Sequence, residues 1–243
     1  MALHPGWHRV LWDDAGLRNA CRHTSSKALA AYDAATVMHQ KIDLGRMCAL
    51  WCHGGAFMDM DVLPLKPLES IPGLVDADRL VVSASALGPF EQTIMRMLHQ
   101  GDHALTNAFL LAPPQDPALL FIIHYCCDKI LSDGSARGTD WSIIAKTTGP
   151  AVVGAAVANL PSANMVQILD SRYFEPCIAF NRRCKPHADS VVYHTHSGTW
   201  IPNALTKLFV AYYEVKHYVT QLALPLLLLL LFFAVWYFRL RRW

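Results

Sequence analysis

The sequence predicts an α/β layered domain followed by one apolar helix near the C-terminus. Three observations lead there. Helix-like stretches alternate with short apolar runs, which is the pattern of strands layered against helices. Leu222 to Phe238 is apolar without interruption. And the apolar segment His53-Gly54-Gly55-Ala56-Phe57-Met58-Asp59-Met60-Asp61-Val62 carries two carboxylates two residues apart.

The elements follow in order. Ser25-Ser26 can cap a helix running through about Gln40. Lys41 to His53 continues as a second helical stretch and stops at Gly54-Gly55, since glycine suits the left-handed residue that ends a helix. Asp43, Arg46 and Leu50 share one face of that stretch, and Leu44, Met47, Cys48 and Trp51 another. Ala56 to Leu63 reads as a strand ended by Pro64 and Pro67. Leu80 to Ala84 is a strand, Phe90 to His99 a helix, Leu105 to Leu111 a strand and Pro117 to Leu131 an apolar helix. Gly149-Pro150 opens a small-residue helix to about Leu160, because proline fits a first helical turn. Met165 to Leu169 and Val191 to His194 are short strands, and Asn203 to His217 is an amphipathic helix.

Hydrophobic residues make up 53% of the 243, and the excess gathers at the C-terminal end. Val219 to Phe238 is twenty residues with only Thr220 and Gln221 polar, enough to span a bilayer once. Trp236 and Tyr237 near its end, then Arg239, Arg241 and Arg242, form an interfacial and basic flank. The arginines favour a cytoplasmic C-terminus and hence a lumenal domain. Met1 to Arg22 shows no apolar leader, which favours a cytosolic one, so the side of the membrane stays open. A formal charge of +2 with scattered basic residues argues against nucleic-acid binding. The seven cysteines fit no zinc framework. Cys48 and Cys52, with His53, end a helical run and read as core, and Cys177 and Cys184 are a possible pair in an oxidising compartment.

The two acids carry the chemistry. On an extended strand Asp59 and Asp61 point to one face and Met58 and Met60 to the other. Their Cα atoms then lie about 7 Å apart, within joint reach of one divalent cation. Acids on an apolar strand are costly unless something cationic meets them.

The context of that pair resembles a known family. Asp43-x-x-Arg46, Leu50, Gly54-Gly55-Ala56-Phe57-x-Asp59-x-Asp61 and Pro64-Leu65-x-Pro67-Leu68 are similar to the DXD glycosyltransferases of initiating α-1,6-mannosyltransferase and inositol-phosphoceramide mannosyltransferase type (family 32-like). Leu105-Thr106-Asn107-Ala108-Phe109, Thr148-Gly149-Pro150 and His194-x-His196-x-Gly198-Thr199-Trp200 follow in the family's order. The likeness spans roughly residues 5 to 202. The family's opening strand, roughly Ile-Pro-Lys-Ile-Ile-His-Gln-x-Trp, has no counterpart before His4 to Asp14.

The resemblance implies a GT-A-like nucleotide-sugar-binding domain over residues 1–202, with its first strand missing or replaced. Residues 203–218 would connect it to a transmembrane helix, 219–238, and a basic tail, 239–243. It implies metal-dependent, retaining transfer of a hexose, mannose favoured, from a nucleotide-sugar to a glycan or glycolipid such as inositol-phosphoceramide. GDP-mannose is the favoured donor and a UDP-hexose the runner-up. The setting is a Golgi or other endomembrane. Mn²⁺ or Mg²⁺ would be held by Asp59 and Asp61, with His196 and Thr199 completing its shell. Asp43, Arg46, Asp59, Asn107 and Trp200 would contact the donor, and Arg46 would act with Asp59 and Asp61 in catalysis. Arg182 and Arg183 read as a solvated pair. The rival reading is a catalytically impaired, membrane-bound sugar-binding or regulatory subunit of a glycosyltransferase complex. A metal-dependent phosphohydrolase is a third.

Overall fold

A computed structural model describes residues 3–97, 104–132, 140–178, 180–196 and 203–240. The chain divides into two units, Met1–Ala179 with Cys184–Trp200, and Phe180–Arg183 with Ile201–Trp243. The first is a mixed α/β body, as the alternating pattern predicts.

It opens with three helices: α1 (Asp14–Thr24), α2 (Ser26–Ala34) and α3 (Met38–His53). Asp13 caps α1 by accepting from the Gly16 N–H, and Ser25 caps α2 by accepting from that of Ala28. The predicted helix through Gln40 is in fact cut at Ala35–Val37. Neither glycine nor proline causes the break. The Gln40 side-chain oxygen folds back onto the Thr36 and Val37 N–H groups (3.1 and 3.2 Å), giving α3 the cap that its apolar first residue cannot supply. α1, not predicted from the sequence, buries Leu17, Ala20 and Cys21 on one face.

Strands β1 (Gly55–Met58), β3 (Leu80–Ala84), β4 (Leu105–Ala112) and β5 (Val166–Leu169) form one sheet in the order β1-β4-β3-β5. β4 runs antiparallel to β1 and β3, and β5 runs parallel to β3. A second, two-stranded sheet pairs β2 (Val62–Pro64) with β6 (Val192–His194) antiparallel. The first sheet is covered on both faces, which is why β4 reads as an almost continuous apolar run. Leu80, Val82, Leu110 and Ala112 face a core shared with α1, α2, α3, α5 (Pro117–Ser132) and α7 (Pro150–Ala158). Val81, Phe109 and Leu111 face the opposite core, with Val62, Leu68, Phe174 of α8 (Ser171–Phe174) and Val192. Phe109 and Phe174 stack there at 3.9 Å between centroids. Helices α4 (Pro89–Met97) and α6 (Asp140–Thr147) complete the unit, and residues 3–13 form no strand.

Two glycines decide how α3 is seated. A Cβ at Gly45 would stand 2.7 Å from the Leu17 Cβ, so α1 crosses α3 at a distance only glycine allows. Gly54 ends α3 at φ +68°, its N–H donating to the Leu50 carbonyl, with Pro114 and the Ala112 carbonyl crowding the space a side chain would need.

Cys177 and Cys184 form a disulfide. Cys21, Cys48, Cys126 and Cys127 are buried free thiols, and Cys48 and Cys126 are pushed well up by their surroundings, Cys48 mainly by its contact with Cys21 and Cys126 by burial. The second unit contains α9 (Asn203–Leu240), a single helix joining the amphipathic and apolar segments, with Pro225 inside it. Its stretch Thr206–Phe233 is long and apolar enough to cross a membrane, and Leu226 to Phe233 are all exposed. Within this unit Phe180 stacks on Phe209, and Arg183 pairs with Glu214 and reaches Tyr218. Arg183 is thus engaged at home rather than merely solvated.

Replacing Gly54 by alanine is expected to lower unfolding free energy by about 1–3 kcal/mol, through forced positive φ plus the clash with Pro114. Gly55→Ala meets no atom within 4 Å and bears only the dihedral strain. Urea denaturation of the two variants should rank Gly54→Ala as the more damaging.

Candidate active site

The site is assembled where α3, the end of β1, β4 and β6 meet. α3 carries Asp43 and Arg46 one turn apart, so both side chains emerge on the face turned towards β1 and β4. Arg46 is 6% exposed. Its Nη2 donates to Asp43 Oδ1 at 2.8 Å and to the Asn107 carbonyl at 3.0 Å, its Nη1 to Asp59 Oδ1, and its guanidinium lies over the Phe57 ring at 4.6 Å. The remaining nitrogen, Nε, is buried without a partner. Burial opposes the charge, but the Asp43 and Asp59 carboxylates outweigh it and hold the guanidinium firmly protonated. Burial also pushes the Asp43 and Asp59 carboxyls upward, with Arg46 pulling both back.

Thr148 closes the other side of this network. Its hydroxyl donates to Asp43 Oδ2 at 2.9 Å, and its carbonyl accepts from Asn107 Nδ2 at 3.4 Å. The Thr-Gly-Pro turn therefore does more than start α7. Asn107 enters the site as a brace between Arg46 and Thr148.

Asp59 and Asp61 come together by a different route from the one expected. The single strand Ala56–Leu63 does not exist. β1 ends at Met58, Asp59 to Asp61 form a turn closed by the Val62 N–H on the Asp59 carbonyl (3.0 Å), and β2 begins a different sheet. Asp59 still bonds through its N–H to the Ala108 carbonyl and follows Phe57 towards Arg46. Asp61 is held beyond the turn, its carbonyl accepting from the Thr195 N–H and hydroxyl at 2.8 and 2.9 Å. Met60 at the tip is 92% exposed. A turn lets the two carboxylates converge at a strand end, whereas an extended pair would stay parallel.

His194 completes that cluster. Its Nε2 lies 3.2 Å from Asp61 Oδ1, and ligand atoms of Asp59, Asp61 and His194 all fall within 4.8 Å of one another. Two carboxylates and an imidazole nitrogen suit a hard or borderline divalent ion such as Mn²⁺ or Mg²⁺. His196, expected in this shell, sits elsewhere: its Nε2 is 2.8 Å from the Cys177 carbonyl and 3.3 Å from Glu175 Oε1. The residue is at φ +52°, so the backbone turns away from β6 there and its ring stacks on His194 at 3.8 Å. Burial lowers the His196 pKa. At His194 burial acts in the same sense, but Glu175, Asp61 and Asp59 raise it overall. Thr199 and Trp200 lie outside the described residues.

Sequence reasoning missed Glu175, which sits after α8 with no local motif, and passed over His194 in favour of its neighbour. The strand period offered the signal: Val192 and His194 share a face of β6, and Val192 is wholly buried in the core that also holds Val62.

Truncating Arg46 to Met is expected to cost about 3–5 kcal/mol in stability, because Asp43 and Asp59 are left as buried, uncompensated acids. Thr148→Val, which removes only one hydroxyl from Asp43, should cost about 1–3 kcal/mol. Equal losses in chemical denaturation would mean the guanidinium is not the keystone.

Residues 1–76 match the family described as glycosyltransferase sugar-binding region containing DXD motif. The uncharacterized glycosyltransferase L373 of Acanthamoeba polyphaga mimivirus is 25% identical over 224 residues, which cover 89% of this chain and 79% of that protein. Inositol phosphoceramide mannosyltransferase 1 of Schizosaccharomyces pombe is 26% identical over 124 residues, half of this chain (50%) and 33% of that protein. These likenesses support the family resemblance drawn from the motifs: residues 1–76 are similar to the sugar-binding region of the DXD glycosyltransferases.

Proposed function

We propose that this protein is a membrane-anchored, metal-dependent, retaining glycosyltransferase that moves a hexose from a nucleotide-sugar to a glycan or glycolipid. One observation carries the reading: Asp59, Asp61 and His194 converge within 4.8 Å beside a buried arginine. A Mn²⁺ or Mg²⁺ ion bound there would act as a Lewis acid that neutralises charge on the nucleoside diphosphate leaving group. The protein's own residues supply the rest. Asp59 and Asp61 present carboxylate oxygens from a turn anchored to both sheets. Arg46, locked by Asp43 and the Asn107 carbonyl, fixes Asp59 so that little reorganisation is needed when donor arrives. With its Nη groups held by acids and a carbonyl, Arg46 acts on the donor chiefly through Asp59 and through its field, rather than by a free fork on phosphate.

Mannose as the sugar, GDP-mannose as the donor and inositol-phosphoceramide as an acceptor are supported by the likeness to the Schizosaccharomyces pombe mannosyltransferase over half the chain. A lipid-linked acceptor also suits α9, whose exposed apolar length would hold the site near a bilayer. Two features favour a lumenal site. The Cys177–Cys184 disulfide suits an oxidising compartment, and Arg239, Arg241 and Arg242 after the apolar run suit the cytoplasmic face.

Detergent-solubilised protein with Mn²⁺ and a panel of GDP- and UDP-sugars should release nucleotide and transfer hexose to a glycolipid acceptor. Asp61→Ala should lower that rate about 100-fold or more. Donor binding without turnover would favour the impaired, sugar-binding subunit, and release without transfer would favour hydrolysis. Protease treatment of sealed microsomes should leave an N-terminal epitope intact until detergent is added. Cleavage in the sealed state would place the domain in the cytosol.

A further inference from the structure

Glu175 is the most deeply set carboxylate near the site. It is 6% exposed, yet the motif chemistry does not use it. Each of its oxygens meets a histidine: Oε2 lies 3.2 Å from His194 Nδ1, and Oε1 lies 3.3 Å from His196 Nε2. His196 Nε2 also meets the Cys177 carbonyl at 2.8 Å, and a carbonyl only accepts, so that nitrogen carries the hydrogen. His194 has a carboxylate at each nitrogen, Glu175 Oε2 at Nδ1 and Asp61 Oδ1 at Nε2, both at 3.2 Å. A cation held by Asp59 and Asp61 would claim the Nε2 lone pair and so leave the hydrogen on Nδ1, facing Glu175.

We propose that Glu175 is a positioning residue that holds His194 as the Nδ1–H tautomer, presenting Nε2 together with Asp59 and Asp61 to a divalent cation. The inference rests on the metal reading given above and extends it to a residue outside the Asp-x-Asp motif. Carboxylates behind metal-facing histidines orient the ring and raise its basicity. His196 serves as the counterweight. It occupies the second Glu175 oxygen, so the carboxylate cannot rotate out of register with His194. The Cys177–Cys184 link closes the loop bearing the carbonyl that holds His196.

A competing arrangement exists, because ligand atoms of Glu175, His194 and His196 also lie within 4.8 Å and would suit an ion of their own. The Cys177 carbonyl argues against it at His196 Nε2, since a nitrogen donating its hydrogen has no lone pair for a metal.

The test is Mn²⁺ titration of the detergent-solubilised full chain without nucleotide-sugar, by calorimetry or by the loss of free-ion EPR signal. Wild type should bind one ion, and Glu175→Gln should bind it about 10- to 100-fold more weakly. An unchanged Kd overturns the proposal. So does wild type binding two ions and Glu175→Gln one. Wild type that takes up no Mn²⁺ overturns the metal reading itself, and this inference with it. A second measurement does not depend on the variant folding: long-range ¹H–¹⁵N spectra of wild type with Mg²⁺ should show His194 as the Nδ1–H form. The Nε2–H form would sink the assignment.

Discussion

The buried guanidinium of Arg46 is the constraint on which the rest of the site depends. It lies among a helix, two strands and an aromatic ring, and takes Asp43 on one side and Asp59 on the other. Without it two carboxylates would stand in a low-dielectric pocket, a cost of several kcal/mol per ion that ordinary packing cannot offset. With it, the positions of α3, β1 and β4 become mutually dependent. Gly45 and Gly54 are then consequences of that requirement: the first lets α1 close over α3, and the second turns the chain sharply enough that Asp59 arrives opposite the arginine thirteen residues earlier.

One positive charge serves two acids, and a third acid, Asp61, is pointed at a histidine. On the metal-dependent reading proposed above, a cation would bind beside these acids. Groups around Asp59 and Asp61 hold them still: the Ala108 carbonyl, the Thr195 hydroxyl and the β2–β6 ladder. Such rigidity is what the proposed metal-dependent transfer would draw on, because preorganised dipoles need not rearrange as charge develops.

The two sheets divide the labour. The four-stranded sheet, buried on both faces, fixes Asn107, Phe57 and Asp59 with the precision of a core. The two-stranded sheet is small and would be marginal alone. It is stabilised by Val62, Val191 and Val192 docking into the core that also holds Phe109 and Phe174. That docking is what delivers His194 to the acids. The junction of the rigid sheet and the smaller appended one also leaves an exposed rim, marked by Met60.

Much of this was legible in the amino-acid order, and for a definite reason. Period and punctuation are local, so strands β3 and β4, helices α5 and α7, the Gly54 stop and the apolar length of α9 could be read from neighbouring residues. The Asp43–Arg46 pair and the Asp-x-Asp pair were visible because their spacing is itself the chemistry. Long-range partnerships were not. That Gln40 would cap its own helix, that the acids would sit in a turn between two sheets, and that Thr148 would clamp Asp43 from 105 residues away are products of tertiary packing. The histidines show the difference most clearly. The sequence by itself determined the Asp-x-Asp spacing, and only the resemblance set His196 beside it. The tertiary structure brings His194 to the acids instead, because β6 pairs with β2 in a register that sets Val62 opposite His194 and lets the next turn carry His196 off to Glu175 and the Cys177 carbonyl.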